Sequence, residues 1–258
     1  MPDDFGIFIL SHGRPDKVYT HRTLEKCGYT GKVYIVIDNE DELEHEYRKQ
    51  YESIVLQFDK MATSKTFDTG DNFNDRRAIV YARNETFKLA KDLGLKYFMQ
   101  LDDDYTSFVY KYDSELRYLE RPVKNLDKVI ESMLKYYKNT KATTLAMAQN
   151  GDFIGGKKSS LAKDMRILRK AMNTFICSTD RPFRFVGGVN EDVNTYVNQG
   201  GRGKLFMSIP NVAIIQKSTQ KNKGGMTDIY LDKGTYTKSF YSVMYNPSCV
   251  KISEMGDK

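Results

Sequence analysis

Short and nearly continuous runs of apolar residues recur along the chain. Segments of this length, bounded by polar turns and rich in β-branched and aromatic residues, are typical of buried strands. Less regular runs at 173–178 and 183–186 predict two further strand pieces. The five clear runs are FGIFIL (5–10), VYIVID (33–38), SIVLQF (53–58), KYFMQL (96–101) and TTLAMA (143–148).

Between these runs, apolar residues follow a helical spacing. In the clearest case, Ile79, Ala82 and Ala90 recur on one face of a helix that Gly94 ends. The same reasoning predicts helices over 20–27, 41–51, 78–93, 126–137 and 191–198. Three polar segments without periodicity predict loops, at 60–76, 150–160 and 216–228.

Strands that alternate with helices predict an α/β fold with a mostly parallel central sheet flanked by helices. The chain has 258 residues, a size at which a single domain is ordinary. We expect an antiparallel tendency after about residue 145. The order of the predicted elements therefore favours one domain with two functional halves.

Distinctive polar residues follow the predicted strands directly. They are Ser11-His12-Gly13-Arg14-Pro15, Asp38-Asn39, the 60–76 loop and Asp102-Asp103-Asp104. Ligands of open α/β sheets bind beyond the carboxyl ends of the strands. We therefore expect these groups to meet in one crevice.

The composition restricts the location and the cofactors. No apolar run approaches the roughly 18 residues that span a bilayer, and the start MPDDFGIFIL lacks the basic residues of a signal peptide. We therefore expect a cytoplasmic protein without a membrane partner, and its three cysteines as reduced thiols. Three histidines are too few for a His-rich metal site, so carboxylates would have to hold any ion.

The three consecutive aspartates are the strongest chemical signal. Carboxylates crowded at the end of a buried strand repel one another and lose hydration, and a bound cation would remove that cost. Alternate side chains of an extended segment share a face, so Asp102 and Asp104 can point the same way. Carboxylate oxygens suit Mg²⁺, Ca²⁺ or Mn²⁺. The alternative is a solvated, Asp-rich turn.

Arginines gather at the start of the helix that precedes the aspartates. Arg76 lies just before it and Arg83 within its first turns. Guanidinium groups and a helix N-terminus both favour phosphate, so Arg83 and Arg76 are candidate ligands of a diphosphate. The alternative is a basic surface cluster.

The sequence Arg83-Asn84, helix, Gly94, strand, Asp102-Asp103-Asp104 resembles the nucleotide-binding half of GT-A glycosyltransferases, as do the loop after the first strand and Asp38 after the second. The resemblance implies one GT-A-like domain over 1–258, with a nucleotide-sugar-binding half over about 1–110 and an acceptor half over about 111–258. It implies a nucleotide-sugar donor, a UDP-sugar being favoured. The implied donor ligands are Ser11, Arg14, Asp38, Arg76, Arg83, Asp102 and Asp103, with Asp102 and Asp104 holding Mn²⁺ or Mg²⁺.

In the second half, Glu191-Asp192 resembles the Glu-Asp pair of the acceptor half in such enzymes, where one carboxylate deprotonates the acceptor hydroxyl. Gly187-Gly188 just before it would let the backbone approach a ligand. The alternative is that both acids only favour the dipole of a helix N-terminus.

A narrower resemblance is to the TET-associated glycosyltransferases of bacteriophages, which implies a 5-hydroxymethylpyrimidine of DNA, such as hydroxymethylcytosine, as the acceptor. The net charge of +6 is compatible with an anionic partner. The basic loop with Lys217, Lys221 and Lys223 would close over a diphosphate or contact DNA phosphates; the alternative is a disordered, solvated loop. Three aromatic residues, Phe183, Phe185 and Tyr196, are candidates to stack on a flipped base, although such residues more often form core.

Other classes remain open at the level of sequence. A protein or glycan hydroxyl is an alternative acceptor, and a metal-dependent sugar nucleotidyltransferase is an alternative enzyme, although the loop 11–16 has only one Gly and one Arg. A non-catalytic DNA-binding module would leave the aspartates unexplained. No P-loop occurs, and no GxGxxG follows a strand.

Overall fold

The computed structural model describes residues 1–70, 76–164, 167, 170–217 and 237–253. They form one nine-stranded sheet with the order β3-β2-β1-β4-β8-β7-β9-β5-β6. The strands are β1 Phe5–Leu10, β2 Lys32–Asp38, β3 Val55–Phe58, β4 Tyr97–Asp102, β5 Tyr105–Tyr112, β6 Tyr118–Pro122, β7 Thr144–Gln149, β8 Phe175–Ser178 and β9 Phe206–Gln216.

Helices lie against both faces of the sheet, which gives the predicted single-domain α/β fold. The described helices are α1 Tyr19–Lys26, α2 Glu44–Tyr51, α3 Lys60–Ser64, α4 Val80–Asp92, α5 Leu126–Lys138, α6 Ser160–Lys163, α7 Glu191–Gly201 and α8 Thr237–Tyr245. No helix among the residues described has the length and apolar character needed to cross a membrane.

The alternation of side chains along β1 divides the core. Ile7 and Ile9 belong to the larger apolar cluster, which includes Leu126 and Ile130 of α5. Phe8 belongs to a second cluster with side chains of α4. Because β1 is buried on both faces, its sequence reads as a continuous apolar run.

The parallel part of the sheet positions the site. Strands β3, β2, β1 and β4 pair in parallel, so their carboxyl ends lie along one edge, which we call the carboxyl edge. β7 is antiparallel to β8, which is antiparallel to β4, so Gln149 at the end of β7 lies at the same edge. β9 is parallel to β7 and ends there too, at Gln216.

Several sequence predictions need correction. The 60–76 loop begins with α3, whose first turn is capped by Asp59 accepting from the Ala62 backbone. Residues 183–186 form no strand, because Asn84 occupies the backbone groups of Phe185. Strands β5, β6 and β9 were not predicted, and antiparallel pairing begins at β5 rather than after residue 145.

Candidate active site

The three aspartates at the end of β4 have separate environments. Asp102 closes the strand, and α1 holds the turn that follows: the Thr20 hydroxyl donates to the Asp102 carbonyl at 2.6 Å and its backbone N–H to the Asp103 carbonyl at 3.0 Å. The Tyr105 N–H donates to the same hydroxyl at 2.9 Å. The turn is therefore fixed by backbone contacts that leave the carboxylates to other partners.

Asp103 is enclosed by the loop after β1. Its Oδ2 accepts from Ser11 Oγ at 2.6 Å and Arg14 Nε at 2.7 Å, and its Oδ1 accepts from Arg14 Nη2 at 2.7 Å. The Tyr47 hydroxyl bonds Ser11 at 2.7 Å. Asp103 has 0% of its surface exposed. Direct contact of Asp103 with a donor would require this cluster to open, and Ser11 and Arg14 are committed to the same cluster.

Arg83 joins the end of β4 to the start of α7. Its Nη2 donates to Asp102 Oδ1 at 2.8 Å and its Nε to Glu191 Oε1 at 3.0 Å. The guanidinium lies 5.1 Å from the centroid of the Phe175 ring, and only 1% of Arg83 is exposed. In this conformation the predicted contact with a diphosphate is blocked by burial and by two carboxylate partners.

The surroundings of Asp102 and Asp104 disfavour the negative charge of both side chains. Burial, together with Glu191 and Asp103, raises the pKa of Asp102 to about 6 in spite of Arg83. Burial and the neighbouring aspartates raise the pKa of Asp104 to about 7. Asp104 Oδ1 is buried without a hydrogen-bond partner. An unpartnered carboxylate oxygen beside a second carboxylate fits a divalent cation.

In the described part of the chain, no group of three or more His, Cys, Asp or Glu side chains is arranged to hold a metal ion. Mg²⁺ sites commonly use one or two protein carboxylates, with water and substrate phosphates as the remaining ligands. Asp102 and Asp104 fit that kind of site.

At the end of β2, Asp38 is buried in a cluster of charges. Its Oδ2 accepts from His12 Nδ1 at 2.8 Å and from Lys60 Nζ at 3.2 Å. Burial favours the neutral acid, but these two partners lower the pKa of Asp38. The hydrogen bond to Asp38 raises the pKa of His12. Asp38 is therefore held as a carboxylate, beside a His12 ring that stays about half exposed.

Arg76 lies on the Asp38 side of the crevice. Its Nη2 is 2.7 Å from Glu40 Oε1, and Glu40 also lies 4.0 Å from Lys60 Nζ. The structure thus separates the two arginines that the sequence grouped: Arg76 faces Glu40 after β2, and Arg83 lies beneath the end of β4.

The start of α7 distinguishes Glu191 from Asp192. Both are buried, at 6% and 5% exposure, but Glu191 is paired with Arg83. Asp192 Oδ1 accepts the backbone N–H of Val193 at 2.7 Å. Asn190 precedes them in the left-handed region at φ 60°, which fixes the sharp entry into the helix. The two acids therefore differ in the partners that hold them, Arg83 for Glu191 and the Val193 backbone for Asp192.

The glycines and aromatic residues near α7 serve packing. Gly187 lies at φ 86°, and a Cβ there would collide with the Asn194 amide and the Tyr245 ring. The absence of a side chain at Gly187 thus has a packing reason, and the approach of a ligand to Gly187-Gly188 stays a prediction. Phe183 and Phe185, at 5% and 0% exposure, are core residues and cannot stack on a base. Tyr196 is partly buried against the same cluster.

The basic loop begins beside the aspartates. The Lys217 N–H donates to the Asp104 carbonyl at 3.2 Å, and its Nζ lies 3.5 Å from the centroid of the Tyr19 ring. The predicted roles of Lys221 and Lys223 lie outside the described residues.

Sequence reasoning placed His12 and, within the 60–76 loop, Lys60 at the crevice without giving either a role, and it missed Tyr47 and Tyr105. The structure adds the role of His12 and Lys60 as partners of Asp38. Tyr105 comes directly after the aspartates, and its hydroxyl accepts the Asp102 N–H at 3.2 Å. Nothing in the sequence marks Tyr47, a helix residue whose contact with Ser11 spans 36 positions.

Comparisons with known proteins identify the family of the chain. The model of the family described as TET-Associated Glycosyltransferase matches residues 5–225. No curated protein matches the chain significantly.

Solved structures show the fold. Glucosyl-3-phosphoglycerate synthase from Mycobacterium tuberculosis, in complex with Mg²⁺ and UDP, has a TM-score of 0.52 at 6% identity, with 98% of this chain and 81% of that chain covered. The same enzyme with Mn²⁺ and UDP-glucose has a TM-score of 0.52 at 6% identity, with 96% and 80% covered. These likenesses confirm the GT-A-like fold.

Proposed function

Because this chain belongs to the TET-associated glycosyltransferase family, we propose that it transfers a sugar from a UDP-sugar to the hydroxyl of a 5-hydroxymethylpyrimidine in DNA. That it is a glycosyltransferase follows from the family and from the fold. The observation that supports the proposed chemistry is that Arg83 joins Asp102, at the carboxyl edge, to Glu191 at the start of α7.

Donor binding in this proposal depends on two carboxylates. Asp102 and Asp104 would hold Mn²⁺ or Mg²⁺, and the bound ion would supply positive charge that stabilises the diphosphate as the leaving group. Two related structures carry such an ion with UDP or UDP-glucose, which supports the same donor class here. The residues of this chain hold the site in shape: Arg83 orients Asp102, and the Thr20 contacts fix the turn that carries Asp104.

The nucleoside has its proposed site at the end of β2. Asp38 is kept ionised by His12 and Lys60, so it can accept hydrogen bonds from a base or a ribose. Lys60 is buried with 5% exposure, and it acts by orienting Asp38. The exposed part of the His12 ring adds a polar surface for the nucleoside.

Ser11, Arg14 and Asp103 have a supporting role in this proposal. Their hydrogen bonds lock the loop after β1 against the turn after β4. His12 of the proposed nucleoside site lies in the loop after β1, and Asp104 of the proposed cation site lies in the turn after β4. These hydrogen bonds therefore fix the distance between the two sites.

On the acceptor side, Asp192 removes the hydroxyl proton as the oxygen attacks the anomeric carbon, and the bond to the diphosphate breaks. Glu191 is held by Arg83 and serves to place α7. A carboxylate in hydrogen-bond reach of the acceptor is a suitable general base.

DNA as the acceptor is supported by the net charge of +6 and by Lys217 beside Asp104. A hydroxymethyl group on a base lies in the major groove, so the enzyme must reach into the groove or flip the base out. The Phe183 and Phe185 rings are core, so any stacking on an extruded base has to come from other residues.

The test is mass spectrometry of hydroxymethylated DNA after incubation with the protein, Mn²⁺ and a panel of nucleotide sugars. The expected result with a UDP-sugar is that the modified base gains the mass of one residue of the sugar supplied. Transfer to a glycan or protein hydroxyl, with none to DNA, would disprove the proposed acceptor and leave the glycosyltransferase assignment unchanged.

A further inference from the structure

Three side-chain amides, which we call the amide cluster, meet at the carboxyl edge: Gln149, Asn173 and Gln216. Asn173 Nδ2 donates to Gln216 Oε1 at 2.8 Å and to Gln149 Oε1 at 3.3 Å. Gln149 Nε2 donates in turn to the Met172 carbonyl at 3.0 Å. The three residues come from the ends of β7 and β9 and from the segment before β8, so the fold alone brings them together.

Part of the amide cluster is held in place by its surroundings, and two of its amide atoms have no hydrogen-bond partner among the described residues. Gln149 is held by Met172 and by the Asp152 backbone N–H, and Asn173 is fixed at φ 59°, in the left-handed region. Within the described residues, no group bonds the remaining amide atoms, Asn173 Oδ1 and Gln216 Nε2. One acceptor and one donor therefore stay available on two half-buried side chains.

The cluster adjoins the proposed cation site. The Tyr105 hydroxyl accepts the Asp102 N–H at 3.2 Å and donates to the Asn173 carbonyl at 2.9 Å. Gln216 pairs with Tyr105 across the sheet, and the next residue, Lys217, donates to the Asp104 carbonyl. Asn173 is thus joined to Tyr105 by a hydrogen bond, and Gln216 is paired with Tyr105 in the sheet. Both residues therefore contact the segment Asp102–Tyr105.

We propose that Asn173 and Gln216 bind hydroxyl groups of the donor sugar, with Gln149 holding Asn173 in place. This inference rests on the proposed function. The sugar is attached to the phosphate that the cation holds, so it must lie next to Asp102 and Asp104. A sugar hydroxyl both donates and accepts, which matches a neutral pair of one free acceptor and one free donor.

The amide cluster carries no positive charge, which argues against a phosphate ligand. Phosphate is bound by cations and N–H donors, whereas Asn173 Oδ1 would repel it. A pyrimidine edge of the acceptor offers the same hydrogen-bonding groups as a sugar. The direct connection to the Asp102–Tyr105 segment favours the sugar, and the experiment separates the two.

Two substitutions test the cluster. Asn173→Gly removes the amide and keeps a backbone that tolerates positive φ. Gln216→Glu keeps the oxygen that accepts from Asn173 and turns the free donor into an acceptor. The matched control is Gln50→Glu on the exposed surface of α2. Titration calorimetry with Mn²⁺ measures the affinity for UDP and for UDP-sugars, starting with UDP-glucose.

The readout is the ratio of the two affinities, because UDP lacks the sugar. We expect both variants to reduce the extra affinity contributed by the sugar by about 3- to 10-fold, the range for one neutral hydrogen bond. A deoxy-sugar that lacks the contacted hydroxyl should bind wild type and variant equally. The Gln50→Glu control should keep the wild-type ratio.

Other outcomes overturn the inference. An equal loss for UDP and UDP-sugar would assign the cluster to the diphosphate, and an unchanged ratio with a raised acceptor KM would assign it to the acceptor. Wild-type protein that binds neither ligand would instead disprove the proposed donor, and this inference with it.

Discussion

Arg83 and Asp102 form a buried ion pair, with Nη2 and Oδ1 2.8 Å apart. The same guanidinium donates from Nε to Glu191, 108 positions along the chain. A residue of α4 thus fixes the separation between the proposed cation site and the start of α7. The arginine that the sequence assigned to a diphosphate connects the two halves of the crevice.

Arg83→Gln should lower the free energy of unfolding by about 3–5 kcal/mol, because removal of one partner leaves buried carboxylates uncompensated. Urea unfolding measures this loss. The Arg83→Gln/Glu191→Gln double variant should lose less free energy of unfolding than the sum of the losses of the two single variants.

Glu191→Gln alone should lower kcat with little change in UDP affinity. If Arg83→Ala weakened UDP binding by about 1.5–3 kcal/mol and Glu191→Gln did not weaken it, the result would support a direct contact between Arg83 and the diphosphate.

Cation-dependent UDP binding should strengthen as pH rises from about 5 to about 8. The pKa of Asp102 is about 6 and that of Asp104 about 7, and an ion requires both as carboxylates. Since both values exceed the ordinary value of 3.8, the ion-free folded state binds protons more tightly than the unfolded state. Its stability should therefore fall as pH rises from about 4 towards 7.

Calorimetry across this pH range, with and without Mn²⁺, measures both trends. Asp104→Asn should abolish the cation-dependent part of UDP binding and flatten its pH dependence. Equal UDP affinity with and without the ion, in the wild type and in this variant, would contradict the assignment of the site.

Asp192→Asn should reduce kcat by about 10²- to 10⁴-fold, the usual contribution of a general base, with UDP affinity unchanged. The isosteric amide keeps an oxygen that can accept the Val193 N–H, so the start of α7 should be preserved. Steady-state kinetics with the DNA acceptor measures the effect. Glu191→Gln is the comparison, and a larger loss there would reverse the roles of the two acids.

Lys60→Met should weaken UDP binding by about 10-fold, the effect of a hydrogen bond to a charged group. The substitution keeps the length of the side chain and removes the ammonium that holds Asp38. Lys65→Met, one residue beyond α3 and exposed, is the matched control. Unchanged UDP affinity in Lys60→Met would limit Lys60 to a structural role.

Binding to duplex DNA should weaken steeply with salt, with a log–log slope of about −0.9 for each phosphate neutralised. Fluorescence anisotropy at several salt concentrations measures the slope. Lys217→Ala should make the slope shallower by about one unit if this lysine contacts a phosphate. The absence of any DNA binding at low salt would remove DNA as the acceptor.

The parallel half of the sheet was predictable because its strands are buried on both faces. Each of β1, β2 and β4 appears in the sequence as an apolar run that needs no partner to be recognised. β5 was missed because its sequence mixes buried and polar residues. It even buries Lys111, with 0% exposure, which pairs with Glu120 of β6 at 2.6 Å.

The site was predictable to the level of its elements, since strand ends at one edge must converge. The partners of each side chain were not. Asp103 carried the same signal as its neighbours, yet Ser11 and Arg14 enclose it, from 92 and 89 positions away. Such long-range contacts have no periodicity or spacing that a single sequence can show.

The sheet order has a consequence for how the chain folds. β5 follows β4 after two residues, but β8, β7 and β9 lie between them in the sheet. During synthesis β4 and β5 emerge together, and the strands that must fill the space between them are made up to about 100 residues later. Tyr105, which follows the three aspartates, pairs with Gln216 of β9, so the end of that turn gains its partner in the sheet only after β9 is made. Pairings this distant in sequence fold slowly. The first 110 residues also leave β5 without its neighbours β6 and β9, so they should not form a stable nucleotide-binding unit alone.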